Sequence, residues 1–180
     1  GTAWRIQKLV SAPANCGFVV EWSTEFAERF GGEPLKGIGL RHGTRQRPGE
    51  MIISARGIEG GVVYAASAGL RNALDDARFV AVEIDLRHGR SSAEIRKGAG
   101  RDRPGDSLSN RLRRVLRCTP LEVALIREVL AHGWAGLPAR PPVADLIAFV
   151  RALPIRLVAP YPIDRAISSA SAMSSAGSGS

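Results

Sequence analysis

The stretch RPGEMIISARGIEGGVVYAAS, residues 47 to 67, sets Gly57, Gly60 and Gly61 between an apolar extended run and a helical one. That is the order in which bare backbone N–H groups and a helix N-terminus receive a pyrophosphate. GIEGG, however, is neither G-x-G-x-x-G nor G-x-x-x-x-G-K-[ST], and Glu59 places a carboxylate where the phosphate would sit. The spacing predicts a tight turn into a helix. Other reactive residue types give less. His42, His88 and His132 fall in turn-like contexts with no acidic or cysteine neighbour at a ligand spacing, so neither a metal centre nor a histidine triad is expected. Ser107 and Ser109 in DSLSN lack the strained G-x-S-x-G elbow, and one or the other reads as a helix cap. Asp75, Asp76, Glu83 and Asp85 read as solvated carboxylates, and Cys16 and Cys118, without C-x-x-C spacing, as isolated thiols. The residues alone define no self-contained active site.

The elements that would position these groups change character along the chain. WSTEFAERFGG reads as a short helix capped by Ser23, with Phe26 and Phe30 on one face and Gly31 and Gly32 as its stop. PLKGIGL reads as a strand with Lys36, Ile38 and Leu40 on one side, its glycines marking the close approach of another backbone. RHGTRQRPGE, residues 41 to 50, reads as a polar turn leading to a second strand with Met51 and Ile53 on one face. A helix follows over 62 to 76, with Val63, Ala66, Leu70, Ala73 and Leu74 as its stripe. RFVAVEIDL is then a strand with Val80, Val82, Ile84 and Leu86 inward and Glu83 and Asp85 outward.

Beyond residue 105 the period switches from 2 to 3.6. Leu108, Leu112, Val115 and Leu116 align, and TPLE at 119 to 122 has the Thr, Pro and Glu of a capping box. The helix it opens buries Leu121, Leu125, Ile126, Val129 and Leu130. A third helix aligns Val143, Leu146, Ile147 and Val150 and is ended by Pro154. The predicted fold class is α+β: a small β-barrel-like part followed by a three-helix subdomain. The expected divisions are an irregular lead-in over 1–16, a mixed β-rich part with one or two helices over 17–105, a helical subdomain over 106–153, a return strand over 154–169 and a disordered tail over 170–180.

At 180 residues and 44% hydrophobic content, the chain can bury one good core. No apolar run approaches the roughly 20 residues that span a bilayer, and the opening GTAWRIQKLV lacks a signal-peptide core, so a cytoplasmic protein is expected. The net charge of +8 raises nucleic acid as a partner. Neither RLRR at 111 to 114 nor RKGAGRDR at 96 to 103 interleaves aromatic residues for base stacking, and the dominance of arginine over lysine suits a GC-rich coding bias.

Four blocks in order, PANCGFVVEWSTEFAERFGGEPLKGIGL, GEMIISARGIEGGVVYAASAGLRNAL, DSLSNRLRRVL and LPIRLVAPYPIDRAISSA, resemble the middle portion of bacterial BaiN-like NAD(P)/FAD-dependent oxidoreductases. The resemblance covers about residues 13 to 170. It implies an insert, part small barrel and part helical, within a Rossmann-type FAD-binding domain. No counterpart of the dinucleotide fingerprint precedes it, and SAMSSAGSGS stands where the family continues with a Gly-Gly segment, so the chain reads as a fragment. By resemblance the insert covers the flavin and shapes the substrate side, with the FAD-binding domain of the same polypeptide as its partner and NAD(P)H as reductant. The small-molecule substrate is not identified by it. Ser168 and Ser169, nearest the return to the flavin, are the residues it places by the cofactor, with ordinary turn residues as the competing role. Lys36 and Glu50 lie in the matching blocks, where a strand-edge salt bridge explains them equally. The alternative function is a basic nucleic-acid-binding module without catalysis.

Overall fold

A computed structural model describes residues 16 to 162. Its strands are β1 (Phe18–Val19), β2 (Pro34–His42), β3 (Arg45–Ser54), β4 (Gly57–Glu59), β5 (Val80–Asp85), β6 (Leu153–Leu157) and β7 (Ala159–Pro160). Each pairs antiparallel with its neighbours in the order β6-β5-β2-β3-β4-β1-β7. The two ends of that order are consecutive in the chain. β6 pairs with β5 and, one residue later, β7 pairs with β1, while Val158 N–H bonds to Val19 O at 3.0 Å. One segment thus belongs to both edges and closes the sheet into a small barrel, which leaves no long edge strand bare.

The helices are α1 (Thr24–Phe30), α2 (Gly61–Asp75), α3 (Ser92–Arg96), α4 (Leu108–Leu116), α5 (Pro120–Ala131) and α6 (Val143–Arg151), with a 3-10 turn over Lys97–Arg101. Local chemistry sets their starts. Ser23, Ser91, Ser107 and Thr119 each accept a backbone N–H of the first turn, and Ser91 with Glu94 and Thr119 with Glu122 complete capping boxes. α5 buries Leu121, Val123, Leu125, Ile126 and Val129 around most of its girth and touches α1, α4 and β6, so it is the axle of the helical part. The apolar residues of barrel and helices form one continuous core. The α+β reading, barrel followed by helices, holds.

Several local expectations need correction. Residues 41 to 50 are mostly strand: β2 and β3 meet at the two-residue turn Gly43–Thr44, and Pro48 pairs with Gly39 inside the ladder. β2 does not alternate simply. Leu35 pairs with Met51 and Ile38 with Gly49, so one extra residue bulges at Lys36–Gly37, with Gly37 at φ 64°. Leu35 therefore joins Ile38 and Leu40 in the core and Lys36 turns to solvent. The glycine faces are covered by side chains where they are covered at all: a Cβ on Gly39 would meet Gln46 and His88, while Gly37 is open. α3 and the 3-10 turn occupy a stretch to which the sequence pattern assigns no element, and Pro154 lies inside β6, after α6 has ended at Arg151.

Candidate functional site

The glycine segment is accounted for by the barrel. A Cβ on Gly57 would run into the carbonyl oxygen of Phe18 in β1, and one on Gly60 (φ 106°) would lie 3.1 Å from Glu50 O and 3.2 Å from Ile52 N in β3. Glu59 pairs with Ile52 between them. These glycines admit neighbouring strands, and the segment does not fit a dinucleotide pyrophosphate.

A concavity of about 700 Å³ lies between α1, α4 and α5. Its apolar floor comes from Phe26 and Phe30, spaced i,i+4 on α1, and from Val123 on α5. Its rim carries Arg29, Arg113 and Arg127 from the three helices, with Glu25 of α1 beside them. Arg127 donates to Ser109 Oγ at 3.2 Å, so Ser109 lines the groove while Ser107 is the cap of α4. An apolar floor beneath a few convergent polar groups is the build of a small-molecule site.

One wall of the groove is a hydrogen-bonded chain. Glu128 on α5, 8% exposed, accepts from Ser23 N and from Ser23 Oγ (2.9 Å), and its Oε1 lies 3.0 Å from His132 Nε2. The His132 ring stacks on Trp134, centroids 4.6 Å apart and 11° between planes. His132 therefore has an acidic neighbour at i−4, contrary to the sequence reading. The order of contacts still excludes a Ser-His-acid triad at this place: the carboxylate stands between serine and imidazole, so the histidine does not face the hydroxyl. Among the described residues no cluster of His, Cys, Asp or Glu could hold a metal ion.

Two further ion pairs fix the helices. Arg87, just past β5, spans Glu122 through both guanidinium nitrogens at 3.0 Å and bonds to Leu116 O at 2.8 Å. Desolvation works against the charge of Arg87, but Glu122 overcomes it and the pKa stays raised. Burial pushes the neighbouring Cys118 thiol up to about 12. Arg111, 3% exposed within α4, grips Asp102 through two bonds of 2.8 Å, and those bonds hold the Asp102 carboxyl below its ordinary range. Sequence reasoning missed both pairs. Arg111 carried a signal, since it stands three residues after Leu108 on the same helical stripe. Arg87 carried none, because its partner lies 35 residues away.

The remaining predicted positions do not converge. Lys36 and Glu50 form an exposed ion pair of 3.9 Å across β2 and β3. Asp85, expected outward, is buried, accepting the Arg87 N–H at 2.8 Å and lying 3.6 Å from Arg151. Ser168 and Ser169 fall outside the described residues. Cys16 and Cys118 are free and buried. No described helix is long and apolar enough to cross a membrane.

The family model described as HI0933-like protein barrel and H2TH domain matches residues 12–168. No curated protein matches the chain.

Proposed function

Since the chain belongs to the HI0933-like barrel and H2TH domain family, a flavoprotein-associated family, we propose that it is the barrel-and-helix module of a BaiN-like, FAD-dependent oxidoreductase driven by NAD(P)H. In this reading a dinucleotide-binding domain of the same polypeptide holds the FAD, and the module covers the flavin and forms the substrate side. When bound, the flavin supplies the redox chemistry. The residues of this chain supply enclosure and recognition: the groove over Phe26, Phe30 and Val123 receives the apolar body of a small substrate, and Arg29, Arg113 and Arg127 orient its anionic or polar end. Ser168 and Ser169 are assigned to the flavin-facing return segment.

The observation that carries the reading, beside the family match, is the closure of the barrel. Phe18 pairs with Pro160 and Tyr161 N bonds to Gly17 O at 2.9 Å, so the entering and leaving strands lie side by side. Adjacent ends are what insertion into a host domain requires. The nucleic-acid alternative gains nothing from the family match.

The test is a chimera in which residues 17 to 161 replace the corresponding segment of a family flavoprotein. It is expected to retain FAD and oxidise NAD(P)H, and Arg113→Ala is expected to raise KM with little change in the flavin spectrum. A folded chimera that has lost its flavin, or one indifferent to Arg113→Ala and Arg29→Ala together, overturns the assignment.

A further inference from the structure

A smaller recess of about 230 Å³, sharing no lining residue with the groove, lies between α3, the 3-10 turn and the C-terminal end of α4. Arg90, Lys97, Arg101 and Arg117 line it, and among the described residues none of these four side chains makes an ion pair or hydrogen bond, although the Arg90 carbonyl accepts from Arg151 at 2.6 Å. The neighbouring carboxylates are already committed. Glu94 accepts Ser91 N–H at 2.9 Å in its capping box, Glu122 is held by Arg87, and Asp102 by Arg111. Arg87 also bonds Leu116 O at the end of α4.

Four cationic side chains set against the single carboxylate of Glu94, which also lines the recess, leave a net positive charge that concentrates anions. Their placement is not what backbone preference alone would give. Arg117 sits at φ 52°, ψ 38° as the cap of α4, the left-handed position at which helices ordinarily carry glycine, and it is the single non-glycine residue with positive φ among those described.

We propose that this recess binds the phosphate group of a small phosphorylated molecule. A phosphate offers about two negative charges and three peripheral oxygens to several cations at once, whereas a carboxylate offers one charge and two oxygens. The recess is too small for a drug-sized ligand and has no aromatic lining residue on which a nucleobase would stack, which favours a compact phosphate over a nucleic-acid strand. The site is separate from the groove between α1, α4 and α5 and does not depend on the flavoprotein reading.

The test is calorimetric titration of the purified chain with pyrophosphate, inorganic phosphate and acetate at matched ionic strength, and with a short single-stranded oligonucleotide. Saturable one-to-one binding of pyrophosphate is expected, with acetate inert. Lys97→Gln/Arg101→Gln should weaken it about tenfold or more, since a lost charge-assisted contact is of that order. Arg45→Gln/Arg56→Gln, which removes the same charge from exposed positions elsewhere, should leave it unchanged. All four side chains are exposed, and thermal melting verifies that both variants fold. Absence of saturable binding, an equal loss in the two double variants, or an oligonucleotide bound more tightly through Lys97 and Arg101 would each overturn the proposal.

Discussion

Arg87 joins the end of β5 to the α4–α5 junction, and its side chain is buried there. Glu122 serves twice, as the partner of Arg87 and as the third residue of the α5 capping box. Truncating one member of a buried pair strands the other, so Glu122→Ala is expected to cost about 3 to 5 kcal/mol in urea unfolding. The same variant should expose Cys118. In the native chain that thiol, raised to about 12 by burial, stays protonated and should resist alkylation at pH 8 until the protein unfolds. Asp102 contributes to acid behaviour. Its folded pKa lies below the unfolded value, so its contribution is complete above the unfolded pKa and is lost as pH falls through the folded one. Asp102→Asn should flatten the loss of stability below about pH 4, the unfolded Asp range, and parallel acid limbs would refute the linkage. Arg117 gives the opposite sign. Relieving its left-handed backbone with Arg117→Gly should stabilise the fold by about 1 kcal/mol, and a destabilised variant would show that the arginine side chain serves the fold.

At the scale of elements, what was legible in the sequence is what is decided within one turn of chain. The caps at Ser23, Ser107 and Thr119, the stripe of α2 and the alternation of β5 all follow from neighbours three or four residues apart, or two. What was not legible depends on partners remote in sequence. The bulge at Lys36–Gly37 is set by pairing with Met51 and Gly49, and no count along β2 alone shows it. The turn-like composition of residues 41 to 50 concealed a ladder because Pro48 and Gly49 are tolerated where β3 passes α2 closely: a Cβ on Gly49 would stand 3.1 Å from Val62 Cβ. The groove followed the same division. Phe26 and Phe30 were placed on one face from sequence, while the Ser23–Glu128 bond across 105 residues needed the fold. Gly57 carries the element-scale prediction. Gly57→Ala forces a methyl against the Phe18 carbonyl at the β1–β4 pairing, and a cost of about 1 to 3 kcal/mol is expected. Gly61→Ala, with nothing within 4 Å, is the control that should be neutral or stabilising; similar losses for both would assign the effect to helix entry rather than to barrel closure.

For the whole molecule, the question is which functions a closed barrel and a helical cluster can perform without a host. The barrel interior is filled by the side chains of the common core, so it is a packed structure and no channel. Of the glycines that would have marked a pyrophosphate site, Gly57 and Gly60 are taken up by the approach of β1 and β3, and the groove between α1, α4 and α5 offers arginines and an apolar floor. FAD buries its long, doubly charged body in the complexes it forms, and the pyrophosphate must exchange its hydration for convergent N–H donors. A flavin lying across one groove would keep most of its surface in water, where little binding free energy is available to offset the lost translational freedom. The purified 180-residue chain is therefore expected not to retain FAD after incubation with excess cofactor and removal of free ligand, and not to oxidise NAD(P)H through flavin. A visible flavin band in stoichiometric ratio to protein would show that the module makes its own cofactor site, and the division of labour between barrel and host domain would have to be abandoned.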